Sequence, residues 1–138
     1  SSLVAKLSHQ ELLILSDLNA KSTQIELLDN SSIAAQTYAL PRADSHCWLA
    51  VTGNQAAEMF SKICAVDLRA HKFVNGEIAQ TSVAKANAIV IRHDLGSTHC
   101  FYVLTDVSVA EFLWDCLLDA MAEYSGKPVG VAALRALG

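Results

Sequence analysis

The residues that could do chemistry in this sequence lie in small, isolated groups. His93 and Asp94 follow an apolar run and could pair a general base with an orienting carboxylate, and Asp44 lies near His46 in the same way. Both pairs fall at predicted strand ends beside loops, where solvated turn residues are the more common role. Arg92 is expected to be a surface or interface cation and not an oxyanion clamp. No catalytic residue is assigned on these grounds.

Four cysteines fall at wide, irregular intervals inside apolar stretches: Cys47, Cys64, Cys100 and Cys116. A zinc site typically needs C-x-x-C or H-x-x-x-H spacing, which these residues lack. The nearest His-Cys pairs are neighbours along predicted strands, where adjacent side chains point to opposite faces. No metal site is therefore expected. The cysteines are predicted to be reduced and buried, which predicts a cytoplasmic protein.

Several function classes are excluded by missing patterns. The sequence has no GxGxxG, no GxxxxGK[ST] and no GxSxG motif, so the common nucleotide-binding loops and the nucleophile elbow of hydrolases are absent. The net charge of −4 and the lack of a Lys/Arg run argue against a nucleic acid or an anionic membrane as partner. No apolar stretch approaches the roughly 20 residues of a membrane helix, and residues 1–10 lack a signal-peptide pattern.

The length and composition predict one domain with more apolar surface than its own core can bury. A chain of 138 residues has the common size of a single domain, here residues 1–138. Hydrophobic residues make up 52% of the chain and charged residues 17%, which excludes disorder. Surplus apolar surface indicates a partner, and in isolation it could drive homo-oligomer formation.

The clearest element is a strand followed by a helix, from Cys47 to Leu68. The run Cys47–Val51 predicts the strand, and Asn54 in the next turn is expected to cap the helix through its side-chain oxygen. The buried face of the helix follows from residues spaced i, i+3, i+4, i+7 and i+8. These residues are Ala56, Met59, Phe60, Ile63 and Cys64.

A set of antiparallel strands and a long helix are predicted next. After a turn at Asn75-Gly76, the strands lie in 77–85, 88–91 and 99–104. Ser108 and Glu111 form a capping box that opens the helix. Its apolar stripe comprises Phe112, Leu113, Cys116, Leu117, Ala120, Met121 and Tyr124. Residues 46–125 therefore predict an α+β fold, an antiparallel sheet with helices packed on one face.

The first forty residues give weaker signals. Leu12 to Leu18 is an apolar run that predicts either a strand or a helix, and Gln24 to Leu28 predicts the second arm of a hairpin-like entry. Ser31 to Ala39 predicts a short helix that is closed before Pro41.

The best-marked part of the chain also carries a family pattern. It runs Val51-Thr52-Gly53-Asn54-Gln55-Ala56, then Met59-Phe60 and Ile63, then Ala65-Val66-Asp67-Leu68, and continues through Gly76, Gln80-Thr81, 89–92 and 101–104. This order resembles the "V-T-G-x-x-A-x-x-F … L-x-x-D-V/L" segment of folate-binding aminomethyltransferase domains, the T-protein family of glycine cleavage. Leu15-Ser16-Asp17-Leu18 also resembles the start of the gamma subunits of heterotetrameric sarcosine oxidases, which are small relatives of that domain.

The resemblance implies an aminomethyltransferase folate-binding-domain-like fold and a part in one-carbon metabolism. It implies a non-catalytic gamma-type subunit in the oxidative demethylation of N-methylglycine or a related methylated amino acid, with flavin and NAD held by the large partner subunits. The full aminomethyltransferases carry an acidic residue just before the strand that matches 89–92, whereas Ala86 and Asn87 stand there in this chain. Asn87 and Arg92 are the candidate residues for binding tetrahydrofolate, and Trp114 and Tyr124 are the candidate interface residues.

Two alternatives remain beside the subunit interpretation. One is a free-standing folate-binding or aminomethyltransferase-like protein, which would need a polar pocket near Asn87 and Arg92. The other is an α+β domain whose likeness to the family is limited to the fold, since a fold does not determine a function.

Overall fold

The structure, a computed structural model, describes residues 2–18 and 37–137. The chain divides into two compact units, Ser1–Asp44 and Ser45–Gly138. The predicted arm at 24–28 lies outside the described residues, as does the predicted helix at 31–39 except for its last three residues, which are not helical. The single domain over 1–138 stays a prediction.

The first unit contains a hairpin in its described part. Strand β1 (Leu3–Lys6) pairs antiparallel with β2 (Leu12–Leu15), with Leu3 opposite Leu15. The amides of Leu7 and Ser8 both donate to the carbonyl of Glu11 and close the turn. The run that begins at Leu12 is therefore a strand, as one of the two interpretations predicted, while β1 lies in residues to which the sequence assigned no element.

The second unit is a four-stranded antiparallel sheet in the order β3-β6-β5-β4. Its strands are β3 (His46–Thr52), β4 (Ile78–Val83), β5 (Ala86–Arg92) and β6 (Cys100–Asp106). Its helices are α1 (Ala56–Phe60), α2 (Ala110–Ala122), which follows the 3-10 turn Val107–Val109, and α3 (Val131–Arg135). No helix in the described part of the chain is long and apolar enough to cross a membrane.

The core lies between one face of the sheet and the helices. Val90 of β5 and Val103 of β6 are fully buried in one cluster with Phe60 of α1 and Leu113 of α2. The Phe60 ring contacts Phe101 edge-on, at 5.6 Å between ring centroids. Burial of each such side chain stabilises the fold by about 1.5–3 kcal/mol. The predicted arrangement, helices on one face of an antiparallel sheet, is confirmed.

Helix α1 is shorter than predicted and differs at its start. It ends at Phe60, after which i→i+3 bonds continue the chain, from Lys62 N–H to Met59 O and from Ile63 N–H to Phe60 O. The predicted cap by Asn54 is wrong, because the helix begins after Gln55 and has no side-chain cap. The turn supplies a backbone acceptor instead, since the amide of Ala56 donates to Gly53 O.

Helix α2 corrects two further predictions. The capping box of Ser108 and Glu111 is wrong, because Asp106 caps the 3-10 turn by accepting from the Ser108 amide at 2.9 Å and α2 begins after it without a side-chain cap. Phe112 is 54% exposed and does not belong to the buried stripe. The remaining stripe residues are buried or half-buried, so the predicted face is otherwise correct.

Turns with a left-handed backbone lie at both ends of strand β4. Gly76 has φ +94°, and its amide donates to Arg92 O, which fits the predicted Asn75-Gly76 turn. The hairpin between β4 and β5 turns through Ala84 and Lys85, with φ values of +49° and +66°. Neither residue has the flexibility of glycine, so this turn is strained.

Candidate functional site

An open cavity of 490 Å³ lies against the sheet where β5 begins and β6 ends. Its lining includes the polar residues His46, Gln80, Asn87 and Asp106 and the apolar residues Ile89 and Leu104. The predicted site residue Asn87 is therefore part of a pocket wall.

The strand register explains how these side chains meet. His46 lies opposite Asp106, and Gln80, Ile89 and Leu104 are aligned across three strands. Asp106 follows Thr105, the partner of Ala88, so Asn87 and Asp106 are neighbours at the end of the sheet. Side chains alternate between faces, and Val90 and Val103 face the helices, so Ile89, Leu104 and their row face the other side. The cavity is thus on the face away from α1 and α2.

Asn87 has an anchored backbone and an available side chain. Its carbonyl oxygen accepts from the Thr105 hydroxyl at 2.7 Å. The residue is exposed, and its side-chain amide makes no hydrogen bond within residues 2–18 and 37–137. A primary amide both donates and accepts, so Asn87 can bind either kind of polar edge on a ligand.

Asp106 adds a carboxylate to this site that the sequence analysis did not assign. Asp106 is exposed, and hydrogen bonds from Ser108 lower its pKa; the charge of His46 lowers it further, and a small loss of hydration opposes both effects. Asp106 is therefore ionised at neutral pH. His46, which the sequence placed near Asp44, instead shares a 2.8 Å hydrogen bond between its Nδ1 and the Ser45 hydroxyl and lies opposite Asp106. Only the pairing of β3, β5 and β6 brings these residues together.

Arg92 lies in a different environment from Asn87. It is 5% exposed, so the expectation of a surface or interface cation is wrong. Its Nη1 donates to Phe73 O at 2.7 Å, and its Nε and Nη2 donate to the Asp94 carboxylate at 3.0 and 2.9 Å. Five residues along one strand separate it from Asn87 by about 16 Å and place it on the opposite face. The two candidate folate-binding residues therefore do not share a pocket.

Asp94 also forms hydrogen bonds that hold the fold together, although the sequence analysis expected a solvated turn residue. The carboxylate accepts from Arg92 and from the Cys100 amide at 3.2 Å, and its side chain is largely buried, so the interpretation as a solvated turn residue is wrong. Burial raises the pKa of Asp94, but the hydrogen bonds from Arg92 and Cys100 outweigh it and hold the pKa below the usual value. His93 packs its ring 5.5 Å from that of Tyr102, and no base-carboxylate pair forms between His93 and Asp94.

The cysteines differ in environment. Only Cys100 is fully buried, so the prediction of buried thiols is wrong for Cys47, Cys64 and Cys116, which are half-buried. Burial, with a smaller contribution from the charge of Asp94, raises the pKa of Cys100 to about 12. In the described part of the chain all four are free thiols, and no group of three or more His, Cys, Asp or Glu side chains there is suited to a metal ion.

The two predicted interface residues lie together at a second site. Trp114 and Tyr124 line a groove of 280 Å³ between α2, the segment 126–129 and strand β3. Trp114 is 41% exposed. Lys62 links this end of α2 to α1, since its ammonium group lies 3.0 Å from the Glu123 carboxylate and 5.3 Å from the centre of the Tyr124 ring.

Comparison with known proteins identifies the family of this chain and a relative of similar fold. The sequence pattern of the GCVT N-terminal domain matches residues 2–138. A chain of the heterotetrameric sarcosine oxidase from Corynebacterium sp. U-96, solved in complex with pyrrole 2-carboxylate, has a similar fold, with a TM-score of 0.78 at 23% identity. The match covers 94% of this chain and 64% of that one, so this chain spans less than two thirds of its relative. No curated protein matches the sequence.

Proposed function

The chain belongs to the family of GCVT N-terminal domains. From this membership together with its fold likeness to a sarcosine oxidase chain, we propose that it is a gamma-type, non-catalytic subunit of a sarcosine oxidase-like complex. The aminomethyltransferase folate-binding-like fold predicted from the sequence is confirmed by the family match and the fold relative. The observation that carries the proposal is the fold likeness to one chain of a heterotetrameric oxidase over 94% of this chain.

The chemistry of the described residues favours a non-catalytic role for this subunit. Asn87 occupies the region where the family resemblance implies a carboxylate, and an amide cannot take up a proton as a base would. The buried cation Arg92 already donates to Asp94 and Phe73. In the proposed complex, oxidative demethylation of N-methylglycine or a related amino acid takes place on large subunits that hold flavin and NAD. We further propose a cytoplasmic location, where free cysteines stay reduced.

Co-expression tests the proposal. The chain is produced with candidate flavoprotein subunits encoded in its own genome, and the products are purified through a tag on the large subunit. The expected result is co-purification at a fixed stoichiometry. The control is Val103→Asp, which places a charge in the core and should abolish association by unfolding the sheet. If the folded chain binds none of the candidates, the subunit proposal fails.

A second candidate function, free-standing folate binding, is favoured by the cavity at Asn87. A pterin ring carries amide-type and amino groups, which Asn87 and the Asp106 carboxylate could bind while Ile89 and Leu104 contact the ring face. These residues fit such a group without Arg92, which lies on the other face. The cavity would hold the ring, and no residue in it is assigned a catalytic step.

Titration calorimetry with tetrahydrofolate tests this second candidate on the isolated chain. Asn87→Ala and Asp106→Asn should each weaken binding about tenfold, as loss of a bond to a polar ligand group does. Asn54→Ala changes an exposed asparagine that does not line this cavity and is the matched control. Equal affinity in all three variants would show that folate, if it binds, does so elsewhere.

A further inference from the structure

Within residues 2–18 and 37–137 strand β3 is an edge of the sheet, and its hydrogen bonds show which backbone groups face outward. At its two ends the Val107 amide donates to Ser45 O and the Gly53 amide donates to His99 O, both at 3.0 Å. In an antiparallel pair such bonded positions recur at every second residue, so the odd-numbered residues of β3 bond to β6. The N–H and C=O groups of Trp48 and Ala50 therefore point away from the sheet.

These outward groups have no partner in the part of the chain that the structure describes. Among the described residues, no group outside the ladder with β6 forms a hydrogen bond with the backbone of Trp48 or Ala50. The other edge is different, because the end of β4 is covered where Val83 bridges Cys64 and the Ala84 amide donates to Ile63 O at 2.7 Å.

The sequence of β3 also lacks the features that normally protect an exposed edge. Edge strands usually carry a charged residue, a proline or a bulge, which prevents pairing with another chain. The seven residues His46–Thr52 include no Lys, Arg, Asp, Glu or Pro, and they pair with β6 without interruption. An unprotected edge of this kind is suited to accept a further strand.

The groove at Trp114 runs along the same edge. Leu49 and Val51 of β3 form one wall, and Trp114, Leu118 and Met121 of α2 lie across from them. The lining is mainly apolar, and Lys127 is the single charged residue among the described residues that form it. A strand added to β3 would therefore place alternate side chains into an apolar groove that has one positive charge.

We propose that the β3 edge and this groove bind an extended segment of a partner subunit as a fifth strand. A polypeptide backbone supplies both donors and acceptors at the repeat of β3, which fits Trp48 and Ala50. The segment would carry apolar residues at alternate positions and an acidic residue near Lys127. A second copy of β3 fits less well, since it has no carboxylate to offer Lys127. The inference rests on the proposed function only for the identity of the partner.

Amide hydrogen exchange in the purified complex with the large subunits tests the surface directly. The amides of Trp48 and Ala50 should exchange at least about tenfold more slowly in the complex than in the free chain. The amides of Leu49 and Val51 already bond to β6 and serve as internal controls. If the complex forms and the Trp48 and Ala50 amides are unchanged, the surface assignment is wrong while the subunit proposal stands.

Two pairs of variants measure the same contact through affinity. Ala50→Pro removes an outward amide without breaking the ladder, and Ala50→Ser keeps that amide. Trp114→Ala removes a groove residue, and Phe112→Ala removes an exposed aromatic of the same helix that does not line the groove. The first member of each pair should weaken association at least about tenfold, and the second should leave it within about twofold. Equal effects within both pairs would overturn the inference.

If no large subunit associates, the subunit proposal fails and the surface is tested with ten-residue peptides selected on the chain from a random display library. Peptides with alternate apolar residues, whose binding is lost in Ala50→Pro and Trp114→Ala but kept in the two controls, support the surface. Selected peptides that bind Ala50→Pro and Trp114→Ala as tightly as the unchanged chain would overturn the surface assignment. If the chain dimerises through β3 and the Ala50→Pro variant is monomeric, the strand bound at this edge is a second copy of β3 and not a partner segment, which overturns the proposal.

Discussion

At the level of single residues, the buried pair of Arg92 and Asp94 is the main polar anchor of the larger unit. The guanidinium joins the end of β5 to the carbonyl of Phe73, and the carboxylate joins it to the amide of Cys100 at the start of β6. Both side chains are largely buried, so each depends on the other to offset the cost of leaving water. Arg92 and Asp94, which the sequence offered as candidates for binding or catalysis, therefore stabilise the fold instead.

Replacing Asp94 with Asn should destabilise the protein by about 3 kcal/mol, because the Arg92 cation stays buried without a counter-charge. The matched control is Asp67→Asn. Asp67 also pairs with an arginine, Arg69 at 2.6 Å, but these side chains are 40% and 59% exposed, and the expected loss is much smaller because solvent screens the pair. Urea denaturation of both variants measures the difference. Similar losses in the two variants would contradict the role of burial.

The same pair predicts how stability changes in acid. The pKa of Asp94 is lower in the folded chain than in the unfolded chain, where a value of about 3.9 is ordinary. Its contribution is therefore fully present above about pH 4 and is lost as the pH falls through the folded-state pKa. The stability difference between wild type and Asp94→Asn, from urea midpoints between pH 7 and pH 2, should be constant at neutral pH and shrink in acid. A difference that grows in acid would refute this.

At the level of elements, the parts predicted best are those whose signal is local. The apolar runs of β3, β5 and β6 and the buried face of α2 follow from side-chain periodicity, and all are present. The starts of α1 and α2 were mispredicted because backbone groups and Asp106 satisfy amides that Asn54 and Ser108 were expected to cap. A polar pocket near Asn87 was expected only under the folate-binding alternative, and the part of Asp106 in it could not be predicted, since Asp106 and Asn87 meet only through the pairing of β5 with β6.

The two strands of the β4–β5 hairpin were predicted, but its turn was not, because residues 84–85 were assigned to the first of them. Two-residue hairpin turns in which both residues have positive φ favour Asn-Gly, but this turn is Ala84-Lys85. The double change Ala84→Asn with Lys85→Gly should therefore raise the free energy of unfolding by about 1–2 kcal/mol, since left-handed strain is relieved. Thermal and urea unfolding measure the gain. Lys72→Gly, in a turn where Lys72 has no positive φ, is the control and should not stabilise.

At the level of the whole molecule, the two compact units differ in how much structure supports them. The larger unit surrounds Val90 and Val103, which lie opposite each other in the middle of the sheet and are fully buried. The described part of the smaller unit contains a two-stranded hairpin, and two strands alone are marginally stable in water. Local stability should therefore decrease from the larger unit to the smaller.

Native-state hydrogen exchange should show this gradient. The amides of Val90 and Val103 are expected to exchange only through global unfolding, whereas those of β1 and β2 should exchange at least about tenfold faster through local opening. The measurement is exchange of the free chain at several low urea concentrations. Equal rates and equal urea dependence in both units would mean that the chain unfolds as one cooperative domain, as its length predicts.

The strand order of the sheet affects how the protein folds during its synthesis. Strand β4 pairs with β5 and β5 pairs with β6, each with the next strand in the sequence, whereas β3 pairs with β6 and with neither of the strands that lie between them in the sequence. On the ribosome β3 therefore emerges long before its partner exists, and local pairings form ahead of distant ones. An uncharged, apolar strand must be kept from other nascent chains during that interval. The same unprotected edge that allows β3 to bind a partner therefore also exposes the nascent chain to aggregation.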